Sequence, residues 1–177
     1  NLEQLKQLPI DSISHSDTVL FMWVTNKYLL DAKGLLESWN FKYRDVVFIW
    51  EKLYPNGKPV MGMGWVTRRN CELCLIAYKD DRKVKIVQAR QKTDVQQLVR
   101  VPKREHSRKP DIFRKLICDL FHGENKIELF ARKYPDSEHF DGWDVWGYES
   151  QNVRPKKEAK RGRKRKTEDP QDLKSKS

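Results

Sequence analysis

The chain has 177 residues, an apolar fraction of 38% and six tryptophans, which suits one domain with a buried core and excludes a fully disordered protein. The formal charge of +11 is uneven: residues 154–166 (RPKKEAKRGRKRK) carry +8, residues 167–177 carry −1, and the preceding 153 residues carry +4. No apolar run approaches the length of a membrane span, and three cysteines are too few for a disulfide scaffold and fit a reducing compartment.

Leu2, Leu5 and Leu8 form a short helix face that Pro9 ends. The chain opens on the helix-like NLEQLKQL rather than on Met, so a segment upstream is expected. Thr18–Thr25 (TVLFMWVT) is a continuous apolar run and predicts a buried parallel strand. Lys27–Trp39 sets Leu29, Leu30, Ala32, Leu35, Leu36 and Trp39 at helical spacing. Asp45–Trp50 (DVVFIW) reads as a second buried strand. Residues 51–70, rich in Gly and Pro, predict a long, flexible and functional connection.

Glu72–Tyr78 reads as a third strand, Val84–Gln88 as a fourth, and Gln91–Arg104 as a mobile polar loop. Pro110 marks a helix start, Asp111–Phe121 carries one apolar face, and Gly123 ends it. Ile127–Ala131 and Trp143–Gly147 predict two further strands. From Gln151 onward no core-building pattern remains, so residues 151–177 read as a basic disordered tail. Such a run serves nuclear localisation, contacts nucleic acid, or is simply solvated.

Alternating strands and helices predict an α/β fold with a mostly parallel sheet. Ligands of such sheets bind beyond the carboxyl ends of the strands. That singles out Asn26, Glu51/Lys52, Arg132/Lys133 and Tyr148/Glu149. G-x-G-x-x-G is absent, which argues against a dinucleotide enzyme.

Four segments carry candidate chemistry. In EHSRKPD (105–111), Arg108 and Lys109 stand just before a helix, against the favourable sense of its dipole, where a cation grips a carboxylate or phosphate. IELFARK (127–133) is an apolar strand ending in Arg132. In GWDVWGYE (142–149), Glu149 is placed for ribose hydroxyls and Tyr148 for stacking on a purine. In MGMGWVTRRNCEL (61–73), Arg68 and Arg69 suit phosphates, Trp65 offers a face to a base, and Glu72 suits an amino group. Cys71 and Cys74 lack a second ligand pair, so no metal site is expected. His106 is the one histidine in a suggestive setting.

In their order, SRKPD, ELFAR and GWDVWG resemble the cofactor half of the MT-A70 family, the adenine-N6 methyltransferases of DNA and RNA. The likeness covers about residues 2–150, the C-terminal two-thirds of such an enzyme, and makes 1–150 the methyltransferase domain. It implies a Rossmann-like methyltransferase sheet, mostly parallel, with an N-terminal part missing, and S-adenosylmethionine as cofactor. Carried over, Lys109 would bind the methionine carboxylate. Phe130 and Arg132 would line the cofactor site, and Gly147, Tyr148 and Glu149 would meet ribose and adenine. Asn70 and Glu72 would lie near the target adenine, with Trp65, Arg68, Arg69 and His106 on the nucleic-acid side.

The Gly-rich MGMGWVTRRNCEL segment resembles the bacterial, phage and ciliate-type branch acting on DNA, with RNA as the alternative substrate. Two departures stand out. Tyr148 replaces the Asn usual in the family, and the catalytic Asp-Pro-Pro-Trp tetrapeptide is absent, so no catalytic residue falls in these residues. The chain is therefore a segment of an enzyme or a non-catalytic nucleic-acid-binding subunit; the complete cofactor-side signature favours the segment. The family also implies a related methyltransferase-like subunit as partner. The tail implies a nuclear address.

Overall fold

A computed structural model describes residues 1–80, 82–83, 94–121, 125–132, 134, 136–148 and 150. Helix α1 (Leu2–Lys6) is opened by a capping box in which Asn1 Oδ1 accepts from Gln4 N at 2.9 Å. Strand β1 (Val19–Val24) leads through a 3₁₀ turn into α2 (Leu29–Ser38), which buries Ala32, Leu35 and Leu36. Trp39 Nε1 donates to Leu5 O at 3.0 Å and ties α2 to α1. The chain then reverses at Asn40, whose φ of 61° is the left-handed turn common after a helix.

Strand β2 (Lys42–Leu53) and strand β3 (Cys71–Tyr78) follow. Leu98–Pro102 forms β4, Ile112–Leu120 forms α3, and Lys126–Leu129 and Trp143–Trp146 form β5 and β6.

The strands make a four-stranded sheet, β1-β3-β2-β4, and a two-stranded sheet, β5-β6. β3 runs antiparallel to both β1 and β2, while β4 is parallel to β2 and β6 to β5. The fold is mixed α/β, which corrects the mostly parallel expectation for the larger sheet. Continuous apolar runs signal burial on two faces, and they do so whichever way the neighbouring strand points. β1 is also an edge strand in the described sheet, and only Val24 in it is fully buried.

Residues 91–104, expected as a loop, contain β4. Its five residues, LVRVP, are a short apolar run inside a polar stretch, and they lie at the sheet edge with alternating exposure. The 51–70 connection is partly ordered by β-bridges between Leu53 and Pro59 and between Gly62 and Arg69. The expected strand at 84–88, the Gly123 stop and the tail fall outside the described residues.

The core sits on both faces of the larger sheet. Ile10, Leu35, Leu36, Trp39, Phe41 and Ala77 pack on one side. On the other, Phe113 of α3 enters a cage of Trp23, Phe48 and Trp50, with its ring centroid 4.7 Å from that of Trp23. Such edge-to-face rings add to plain burial and fix where α3 begins.

Candidate active site

Because β3 is antiparallel, its first residues arrive beside the last residues of β1 and β2. One edge of the sheet therefore gathers Asn26, Glu51, Lys52, Asn70 and Glu72. Asn70 Nδ2 donates to Glu51 Oε1 at 3.2 Å, and Arg100 Nε donates to Glu51 Oε2 at 2.7 Å. Next to this row, Glu72 lies between two ammonium groups: Lys52 Nζ is 2.5 Å from its Oε1 and Lys109 Nζ is 3.0 Å from its Oε2. Burial pushes the Glu72 carboxyl up, but the hydrogen bond from Lys52 and the charge of Lys109 together hold it below the ordinary carboxylate value.

The helix-start segment supplies Lys109 and keeps Arg108 for itself. The Arg108 side chain is buried and pairs with Glu105, Asp111 and Asp136 at 3.0–3.1 Å, its guanidinium stacked on Tyr134. Arg108 therefore braces the loop instead of facing a ligand, as its place before α3 had suggested. Arg114 completes the brace, paired with Asp111 and Glu128 and stacked on Phe140. With Arg108 fixed, Lys109 is left above the Trp23 ring at 5.8 Å, lining a large cleft.

The cleft has a volume of about 2160 Å³, and every residue of β1 and β5 lines it. Among the described residues β1 pairs only with β3 and β5 only with β6, so both leave a backbone edge open on the cleft. Lys109, Phe130 and Arg132 lie on its wall. At the carboxyl ends of β5 and β6, Phe130 N donates to Trp146 O and adopts φ 62°. Gly147 has φ 146°, and a Cβ there would stand 2.9 Å from Phe130 Cα. Tyr148, 97% exposed, follows it; Glu149 lies outside the described residues.

Among the described residues, two buried side-chain donors have no partner, Arg108 Nε and Trp143 Nε1, and both residues line the cleft. A cleft with the partly buried Lys109 ammonium, the unspent Trp143 donor and an aromatic lining fits an amphipathic ligand that carries a carboxylate and a flat ring system.

Trp65, Arg68 and Arg69 lie away from that cleft, on a hairpin closed by mutual backbone bonds between Gly62 and Arg69. All three are exposed, Trp65 by 94%, beside exposed Met63 and Val66. His106 is exposed and lies 2.9 Å from Ser107 Oγ through Nδ1. Cys74 is fully buried in the core, where desolvation pushes its thiol well up. The expected residues thus fall into a cleft group (Lys109, Phe130, Arg132), with Gly147 and Tyr148 following at the end of β6 beside Phe130, a strand-end group (Asn70, Glu72) and an outlying hairpin. Lys109 and Glu72 join the first two. Sequence reading marked Lys52 only as a strand-end residue; a lysine closing an apolar strand next to a glutamate was the available signal.

A family model described as MT-A70 matches residues 1–149. The chain belongs to the MT-A70 family. It is 36% identical over 148 residues to the Type II methyltransferase M.MunI of a Mycoplasma species, covering 84% of this chain and 57% of that one. It is 33% identical over 153 residues to the N6-methyladenosine RNA methyltransferase MTA1 of Cryphonectria parasitica, covering 83% and 42%. Murine METTL4, an N(6)-adenine-specific methyltransferase, is 29% identical over 158 residues, covering 83% and 32%. The chain spans between a third and somewhat over half the length of these relatives.

Proposed function

We propose that this MT-A70 chain forms the cofactor-holding and substrate-facing part of an S-adenosylmethionine-dependent methyltransferase acting on the exocyclic amine of adenine in DNA. The observation that carries the reading is the meeting of Glu72 at 3.0 Å with Lys109, which lines the same cleft as Phe130 and Arg132. When bound, the cofactor supplies an activated methyl group. Lys109 takes its carboxylate, a charge-assisted contact strengthened by partial burial. Phe130, Gly147 and Tyr148 flank its ribose and adenine. Asn70 and Glu72 face the base, whose reach into the site requires that it leave the stack. Positioning does most of the chemical work in such a transfer.

In this reading the Asp-Pro-Pro-Trp motif belongs to a segment outside these residues, and the open edges of β1 and β5 leave a place for it between them. Trp65, Arg68 and Arg69 contact the nucleic acid outside the pocket. DNA is favoured by the Gly-rich 61–73 segment, which resembles the DNA-acting branch of the family. RNA is the second reading, supported by the likeness to an RNA methyltransferase over 83% of the chain. A related subunit as partner and a nuclear address, from the basic tail, complete the proposal.

The test is methyl transfer from labelled S-adenosylmethionine by the full-length protein, offered matched DNA and RNA oligonucleotides. Label in DNA adenine supports the proposal, and label in RNA alone replaces the substrate. No label in either, together with tight nucleic-acid binding, overturns the enzyme in favour of a non-catalytic subunit.

A further inference from the structure

Glu72 spends its two oxygens on two different cations. Oε1 accepts from Lys52 and Oε2 faces Lys109. The three side chains are 13%, 24% and 21% exposed in the order Glu72, Lys52, Lys109, so water screens them weakly. The cluster carries two positive charges and one negative. That surplus of one positive charge matches one incoming carboxylate. With Lys109 and Glu72 alone, the pair would be neutral and closed. A carboxylate approaching Lys109 would then have to strand Glu72 in a half-buried site with no counter-charge, a strongly unfavourable arrangement.

Lys52 removes that obstacle, and its own place is fixed. Its ammonium lies 5.1 Å from the centroid of the Trp50 ring, and its backbone N donates to Asn70 O at 2.7 Å, two residues before Glu72. The second lysine, Lys109, stands over the neighbouring Trp23 ring. β3 therefore presents Glu72 between a cation held by β2 and a cation arriving from the loop before α3.

We propose that Lys52 is a positioning residue for cofactor binding: it retains Glu72 when Lys109 turns to the cofactor carboxylate. The inference rests on the reading of Lys109 given above. Lys52 touches neither cofactor nor base. It acts through Glu72, and its loss leaves Glu72 bound to Lys109 and Lys109 unavailable.

The test is calorimetry on the full-length protein with two ligands, S-adenosylmethionine and 5′-methylthioadenosine, which lacks the amino-acid carboxylate. Lys52→Met should weaken S-adenosylmethionine by about tenfold or more, the size of one charge-assisted contact, and leave 5′-methylthioadenosine unchanged. Unchanged binding of the second ligand also shows that the variant is folded. Lys52→Arg should bind both ligands nearly as the parent does. Adding Glu72→Gln to Lys52→Met should restore most of the lost affinity, because the competitor for Lys109 is then neutral.

Equal losses for both ligands, or no recovery in the double variant, would overturn the inference. So would full affinity in Lys52→Met while Lys109→Ala is impaired, an outcome that leaves the reading of Lys109 standing. Full affinity in Lys109→Ala would remove that reading and this inference together.

Discussion

Gly147 and Phe130 meet backbone to backbone. A Cβ added to Gly147 would stand 2.9 Å from Phe130 Cα and 3.1 Å from Phe130 N, at a φ of 146° that side chains rarely adopt. Neither neighbour is a movable side-chain end. Gly147→Ala should therefore destabilise the fold by about 1–3 kcal/mol. It should also weaken cofactor binding by displacing Phe130. Urea unfolding and calorimetry check the two effects; an unchanged midpoint would show that β5 and β6 separate freely here.

Lys109→Ala removes an ammonium group that links the cleft to Glu72. Loss of a charge-assisted contact of about 1.5–3 kcal/mol corresponds to roughly ten- to a hundred-fold weaker cofactor binding. Glu72 keeps Lys52, so stability should change little. Retained affinity in calorimetry would dismiss Lys109 as the carboxylate site.

Acid should find the Glu72 cluster. Burial raises the Glu72 carboxyl, its two lysines outweigh that, and the folded value lies below the ordinary 4.5. A depressed folded pKa means that the unfolded chain takes up the proton first as pH falls. The contribution is thus complete above the ordinary value and is lost as pH drops through the lower folded one. Urea midpoints should decline below about pH 4.5, and Glu72→Gln should flatten part of that decline. An identical slope in the variant would count against the two-lysine cage.

Buried and exposed ion pairs of α3 offer a direct contrast. Arg114 is buried, pairs with Asp111 at 2.5 Å and Glu128 at 2.7 Å, and stacks on Phe140 at 3.6 Å. Arg114→Met leaves carboxylates short of a partner and should cost about 3 kcal/mol or more. One residue further on, Lys115 pairs with Asp119 in solvent, and Lys115→Met should stay within about 0.5 kcal/mol. Comparable midpoint shifts in urea would refute the brace.

On the hairpin, Arg68→Ala with Arg69→Ala should lower the salt dependence of DNA binding by about two phosphate contacts. Trp65→Ala should weaken binding by about 1–3 kcal/mol at any salt, as loss of a stacking face does. Fluorescence anisotropy across a salt series separates the two. A salt slope unaltered by the arginine changes would move the nucleic-acid surface elsewhere.

Much of this molecule was legible in its sequence, for local reasons. The leucine spacing of α1, the apolar face of α2 and α3, and the apolar runs of β1 and β3 each announce themselves within a few residues. The pairing of those runs does not. β3 was readable as a strand, but its antiparallel setting is a long-range fact, and that setting is what delivers Glu72 to Lys52. Likewise EHSRKPD pointed to a cation before a helix without saying which one. Arg108 went to Asp111 and Asp136 because their carboxylates were near enough to bury it, and Lys109 was left for the cleft. The hairpin of Trp65 was read with Asn70 and Glu72 as the nucleic-acid side, and sequence order says nothing of its distance from the cleft.

The backbone edge of β1 has a practical consequence for anyone handling this polypeptide. Val-Leu-Phe-Met-Trp-Val is uncharged, rich in β-formers and free of proline, and among the described residues nothing pairs with its outer side. Such an edge templates pairing with further copies of itself. Residues 1–150 produced alone would stick to one another through it, and solubility would report how well that edge is covered. A peptide or partner that suppresses clumping would do so by lying along β1.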